Sequence, residues 1–296
     1  MNALQGWAQE RADLVQRVAL SVVGVQSTSG RSLSGIVWDS ETVVTAAENL
    51  AGDCVQVRSA TERFDAQVAA VDLATDVAVL RLRTPLVVPT RGASDALRAG
   101  EPVLLIGRDG GDTLAQWTDI QLVGPSWVSR RGGQILRTIR FSLRLDDALE
   151  GGAIFDSGGA LCAMAVPNAR GRALGIPIET LAAVVRRVAQ HGYLPQPYLG
   201  VRLQPVWLDE AQRRQLGRER EVAVLVSGVD ANSPAQAAGL IFGDLLLSLA
   251  ERPVHSPGAV AREIGALAIG SVVTMQVLRA GEKKQIEIAV GERPRS

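Results

Sequence analysis

The chain is poor in two residue types that usually mark an active or charged surface. Lys283 and Lys284 are its only lysines, and His191 and His255 are its only histidines in 296 residues. Arginine carries nearly all the positive charge, in short clusters such as Arg130-Arg131 and Arg186-Arg187, and the formal net charge is zero. A neutral chain with no basic block lacks the electrostatic footprint of a nucleic-acid binder, so no nucleic-acid partner is expected. The arginine clusters read as solvated faces. Cysteine is scarce too. Cys54 and Cys162 are far apart and show no CxxC or Cys/His spacing, which argues against zinc or redox chemistry. Both sit in apolar, strand-like runs and read as buried free thiols, with one disulfide between them as the alternative. No apolar run is long enough to span a bilayer, so no transmembrane segment is expected. Met1–Arg11 has no basic stretch leading into an apolar one, so it does not read as a signal peptide. The chain as it stands reads as cytoplasmic, or as periplasmic if an export segment has been removed.

What is plentiful is apolar residues, 47% of the chain, enough for two domains with real cores or for one large one. Residues 4–20 carry Leu4, Trp7, Ala8, Leu14, Val15 and Val18 at helical spacing, which predicts an amphipathic helix running into a strand at Ser21–Gln26. To about residue 178 the pattern is β. Short Val/Ile/Leu runs recur between Gly/Asp/Ser turns at Ser34–Trp38, Thr42–Ala46, Val55–Arg58, Ala66–Val71, Val77–Leu82, Val103–Ile106, Ile135–Leu143 and Ala160–Val166. Many short strands of this kind argue for a barrel or sandwich. A helix follows at Ile178–Gln190, stopped by Gly192, and two prolines make Tyr193–Pro197 a stiff linker. A second unit begins at Tyr198. It reads strand, helix (Asp209–Leu216), strand (Val222–Val229), short helix, strand, helix, strand, strand. Ser233 suits the cap of its short helix, Pro234 the first turn and Gly239 the left-handed end.

Four stretches carry a family resemblance. The opening ADLVQRVALSVVGV and Ser34–Leu50 (SGIVWDSETVVTAAENL) resemble the start of HtrA/Deg serine protease domains and their run into the catalytic histidine. Val71–Leu82 (VDLATDVAVLRL) is similar to the segment holding the family's triad aspartate, and Leu145–Val166 (LDDALEGGAIFDSGGALCAMAV) to its nucleophile loop. The resemblance implies a mainly β fold: a trypsin-like double six-stranded β-barrel over residues 1–192, then an α+β PDZ domain over residues 198–296. It also implies that Glu48 stands in the histidine position, Asp76 in the aspartate position and Glu150 in the serine position, followed by Gly151-Gly152. In a second register, Asp156-Ser157-Gly158-Gly159 mimics a DSGG box with Ser157 as nucleophile; the plainer reading of those residues is a hairpin turn.

A serine hydroxyl is a weak nucleophile unless a base takes its proton. His191 ends a helix and His255 lies in the second unit, so neither is placed as that base. Glutamate is far less basic than imidazole. No catalytic residue is therefore expected, and the chain reads as a pseudoprotease. Gathered together, Glu48, Asp76 and Glu150 could not all ionise cheaply, so at least one pKa should rise. The expectation is that a side chain swings to solvent or pairs with an arginine such as Arg81 or Arg108, the alternative being a hard cation held by the three carboxylates. Otherwise no metal or cofactor is expected.

The second unit carries VLVSGVDANSPAQAAGLIFGDLLLSLAERPV (Val224–Val254), which is similar to the PDZ signature of the same family, and Tyr198-Leu199-Gly200-Val201 resembles its carboxylate-binding loop. Such a loop captures a C-terminal carboxylate on backbone N–H groups while the peptide adds a strand to the sheet edge. The helix near Ala259–Leu267 would form one groove wall. The implied partners are protein C-termini or extended peptides. The implied assembly is a homo-oligomer such as a trimer, or a hetero-assembly with an active protease. Trp7 is a candidate contact for that assembly or an anchor for its own helix. The competing functions are a Ser157 endopeptidase and a purely structural subunit.

Overall fold

The structure is a computed structural model that describes residues 3–129, 131–208, 210, 213–214 and 222–294. The contacts divide the chain into two units, Met1–Trp127 with Gln134–Leu194, and Val128–Gly133 with Pro195–Ser296. The helix expected at Asp209–Leu216 lies largely outside the described residues.

The first unit opens with α1 (Ala3–Ala19), whose Leu14 and Val18 enter the core. Six strands then close a barrel: β1 (Val22–Gln26), β2 (Ser32–Asp39), β3 (Thr42–Thr45), β4 (Cys54–Arg58), β5 (Arg63–Asp72) and β6 (Val77–Arg81). Their order is β1-β2-β3-β6-β5-β4, and antiparallel β1–β4 pairing completes the closure. Strict alternation in β4 points Val55 and Val57 inward and leaves Cys54 exposed. That corrects the expectation of two buried thiols. Cys162 is buried, both cysteines are free, and burial pushes the Cys162 thiol up to about 12.

The second barrel comprises β7 (Pro102–Asp109), β8 (Asp112–Gly124), β11 (Thr138–Arg144), β12 (Ala153–Phe155), β13 (Leu161–Pro167) and β14 (Arg172–Pro177). Its order is β11-β14-β13-β12-β7-β8. Short strands β9 (Trp127–Val128) and β10 (Gln134–Ile135) lie between β8 and β11. The single strand expected at Ile135–Leu143 is therefore broken. Leu136 N–H donates to Thr180 Oγ1 at 3.1 Å, which takes it out of one continuous ladder, and pairing with β8 starts at Thr138, opposite Gly124. α2 (Ile178–His191) buries Ile178, Leu181, Val184, Val185 and Val188 along one stripe and ends on Gly192 at φ +74°, where the Gly192 N–H donates to Val188 O.

In the second unit β15 (Pro197–Tyr198) pairs with β22 (Gly291–Glu292). A sheet runs β16-β17-β18-β20-β21, built from Val201–Trp207, Val222–Val229, Leu245–Leu249, Val272–Arg279 and Glu282–Ala289, with β19 (Arg252–Pro253) beside β18. The helices are α3 (Pro234–Ala237), capped by Ser233 Oγ as its sequence predicts, and α4 (Pro257–Gly265), capped by Ser256 Oγ. The core of this unit gathers Leu199, Val224, Val226, Leu246, Val260, Met275 and Ile288.

Candidate functional site

The turn between β5 and β6 sets the first corner of the site. Asp72 accepts the Ala74 N–H and the Thr75 hydroxyl at 3.0 and 2.9 Å, and the turn ends on Asp76 at φ +58°. Asp76 Oδ1 then accepts the backbone N–H groups of Ala47 and Glu48 at 2.9 and 2.7 Å. One carboxylate oxygen thus holds the backbone that leaves β3. The Glu48 side chain itself is exposed.

Glu150 comes in from the other barrel. A short 3-10 turn at Asp147–Leu149 carries it, and its carbonyl accepts the Ser34 N–H at 2.7 Å. The following Gly151 has φ +81°, and a Cβ there would lie 2.2 Å from Ser34 O and 2.8 Å from Thr45 Oγ1. Only glycine fits, on both conformational and steric grounds. Glu150 is buried at 3% exposure, and both its carboxylate oxygens accept from Asn49 Nδ2 at 2.9 Å. Burial holds its pKa above the ordinary carboxylate value. The Asn49 bond opposes that shift, and the negative charge of Asp76 adds to it. The backbone N–H of Glu150 donates to the Asp147 carbonyl at 3.1 Å. The structure therefore brings Glu48, Asp76 and Glu150 into one corner of the first unit. Asn49, next to Glu48, escaped sequence reasoning because nothing local in the chain signals its bond to a residue 101 positions away.

The expected arginine partners are elsewhere. Arg108 is buried and donates to three backbone carbonyls: Val22 at 2.5 Å, Gly111 at 2.8 Å and Ala19 at 2.9 Å. Desolvation lowers its pKa. Arg81 donates to Thr42 Oγ1 at 3.2 Å. Both guanidiniums are engaged by these oxygens, and Glu150 meets an uncharged amide, Asn49. Among the described residues no group of three or more His, Cys, Asp or Glu side chains is arranged to hold a metal ion.

Ser157 sits in the exposed tip between β12 and β13. Asp156 Oδ1 accepts the N–H groups of Gly158 and Ala160, both at 2.9 Å, and Gly159 N–H donates back to Asp156 O, which makes a tight hairpin turn. The groove beside Ser157 includes Glu10, Arg11 and Trp117 and no imidazole. His191 closes α2 with an edge-on contact to Tyr193, ring centroids 6.4 Å apart.

In the second unit the four loop residues lie where β15 passes into β16. Tyr198 donates its hydroxyl to Asp230 Oδ2 at 2.8 Å, a bond that raises the phenol's pKa. Leu199 is buried and its carbonyl accepts from Ala235 N–H. Gly200 stands at φ +79°, and a Cβ there would lie 2.2 Å from Ser233 Cβ. Val201 starts β16, which is an edge strand bonded on one side to β17. Val201 and Leu203 of β16, with Ile264 and Leu267 at the end of α4, are partly buried against the core. An edge strand with half-buried apolar side chains, entered through a glycine loop, is the arrangement that strand addition requires.

Residues 33–164 match the family model described as trypsin-like peptidase domain, and residues 197–290 match PDZ domain. The chain is 27% identical to Protease Do-like 1, chloroplastic, of Arabidopsis thaliana, over 93% of this chain and 66% of that protein. It is 26% identical to a probable periplasmic serine endoprotease DegP-like of Pseudomonas fluorescens, over 89% of this chain and 55% of that one. The chain thus spans between about half and two thirds of these relatives. Among solved structures, the HtrA-type protease AlgW S227A with decapeptide superposes with TM-score 0.68 at 22% identity, covering 96% of this chain and 97% of that one. A serine endoprotease from Yersinia pestis gives 0.64 at 20%, covering 95% and 97%. These likenesses show the fold. No helix among the described residues is long and apolar enough to cross a membrane.

Proposed function

Because the chain belongs to the HtrA-type serine protease family, a trypsin-like peptidase domain followed by a PDZ domain, its side chains at the family's catalytic corner bear directly on what it does, and we propose that it is a catalytically silent member whose PDZ domain binds peptides. The observation that carries this reading is Glu150. It lies buried and is held through both carboxylate oxygens by Asn49, and in the proposed register it stands in the nucleophile position. A carboxylate so held has no hydroxyl to deliver in acyl transfer. Glu48 supplies no imidazole to activate a nucleophile brought in from elsewhere. The backbone supports the same reading. Oxyanion stabilisation needs N–H groups aimed at the reacting oxygen, and the Glu150 N–H is spent on Asp147 O.

The barrels then serve as a scaffold. The PDZ domain takes a C-terminal or extended peptide segment between β16 and α4, with Tyr198, Leu199, Gly200 and Val201 forming the carboxylate loop. Assembly as a homo-oligomer such as a trimer, or with an active protease, belongs to the same proposal; it would make the protein a sensor, adaptor or regulator. The test is fluorescence anisotropy of labelled peptides with apolar C-termini on the intact protein. The free-acid peptide should bind and its C-terminal amide should bind at least about tenfold more weakly, since the loop's N–H groups lose their anionic acceptor. Equal binding of acid and amide refutes the carboxylate-loop role, and binding of neither favours a structural subunit.

A further inference from the structure

The outer surface of the first barrel carries two arginines that the fold forces together. Arg58 ends β4 and Arg63 starts β5, and the two are directly opposed in the antiparallel register. Like charges in that relation repel. Neither forms an ion pair or hydrogen bond among the described residues. Arg58 is nonetheless held in place. A Cβ at Gly111 would lie 3.2 Å from Arg58 Nε and 3.4 Å from its Cζ, so the guanidinium lies flat over the Gly110–Gly111 turn because that turn has no side chains. Gly24, directly opposite Arg58 across β1 and β4, lets the Gly110 carbonyl approach the same row, since a Cβ there would meet Gly110 O at 2.7 Å. The result is a recess of about 100 Å³ with both arginines on its wall. In the neighbouring row Gln26 opposes both Ser32 and Gln56 and donates to Gly30 O at 3.3 Å, while Gln56 and Ser32 add a carboxamide and a hydroxyl to the lining.

We propose that this recess is a binding site for a small tetrahedral oxyanion of the phosphate or sulfate class. Two fork-shaped guanidiniums offer several N–H donors to adjacent oxygens of one anion. Bound charge removes the repulsion between the opposed arginines, and the recess has the size for one such ion rather than for a nucleotide or a polymer. The exposed arginines Arg140 and Arg144 of β11 serve as controls.

The test is isothermal calorimetry and thermal unfolding of the intact protein with inorganic phosphate, against sodium chloride at matched ionic strength. The expected result is saturable, phosphate-specific heat and a rise in melting temperature. In R58Q and in R63Q the half-saturating concentration should rise by about tenfold or more. It should stay unchanged in R140Q. R58K, which keeps the charge and loses the fork, should fall between. Melting in the absence of phosphate checks that each variant folds. No saturable response in the wild-type protein, or the same affinity in R58Q and R63Q as in wild type, overturns the proposal.

Discussion

At the residue scale the decisive group is Glu150. Its folded-state pKa lies above its unfolded value, first because it is buried and also because Asp76 is near. A carboxyl with a raised folded pKa destabilises the fold wherever it must ionise. That penalty is fully present above the folded pKa, fades as pH falls through it, and is gone below the unfolded value near 4. Glu150→Gln keeps an oxygen acceptor for Asn49 and removes the charge. It should therefore raise stability at pH 7, with the gain vanishing below about pH 4. Urea unfolding of the variant and the parent at both pH values reads this directly. The frame on which the proposed replacement of the triad histidine and serine rests, Thr45-Ala46-Ala47-Glu48 and Glu150-Gly151-Gly152, was legible in the chain. The company Glu150 keeps was not. The Asn49 bond is a product of long-range packing, and Arg108, expected as a partner for the carboxylates, is engaged by three backbone carbonyls instead.

At the scale of elements, most apolar strands were readable, while the short β12, β14 and the polar β8 were not singled out. β8 spans Asp112–Gly124, yet only Ile120 along it is buried, so its residues resemble a long loop; its pairing with β7 and β11 makes it a strand. Helix ends were readable because their chemistry is local. Ser233 caps and Gly192 closes by bonds within a few residues, while the Ser256 cap of α4 was not singled out. The loop before β16 depends on Gly200 for both its left-handed φ and its contact with Ser233. Gly200→Ala should therefore weaken binding of a free C-terminal peptide by at least about tenfold, from strain of about 1–3 kcal/mol placed in the loop. Anisotropy titration against the parent protein measures this, and an unchanged affinity would place peptide capture elsewhere.

For the whole molecule, the apolar clusters of the barrels and of the second unit share no residue. Within the second unit Asp244 is fully buried and is held by Arg279 through bonds of 2.7 Å to each carboxylate oxygen. Arg279→Ala leaves a buried carboxylate without its cation, a loss of about 3–5 kcal/mol. Calorimetry should show the second unit's melting transition displaced downward and that of the barrels unmoved. Gly243-Asp244 was legible only as a turn, since its arginine partner lies 35 residues further on. Fold class and unit order were readable over nearly the whole chain because turn residues and strand periodicity are local signals, while chemistry depends on which side chains meet.

The central claim is that the protease-like corner performs no acyl transfer. Intact-mass spectrometry after incubation with a fluorophosphonate probe, with casein degradation followed in parallel, tests it most directly. The account predicts an unmodified mass and intact casein. A stoichiometric adduct mapped to Ser157, together with casein cleavage, would contradict it and make this protein a working serine protease built on a different nucleophile.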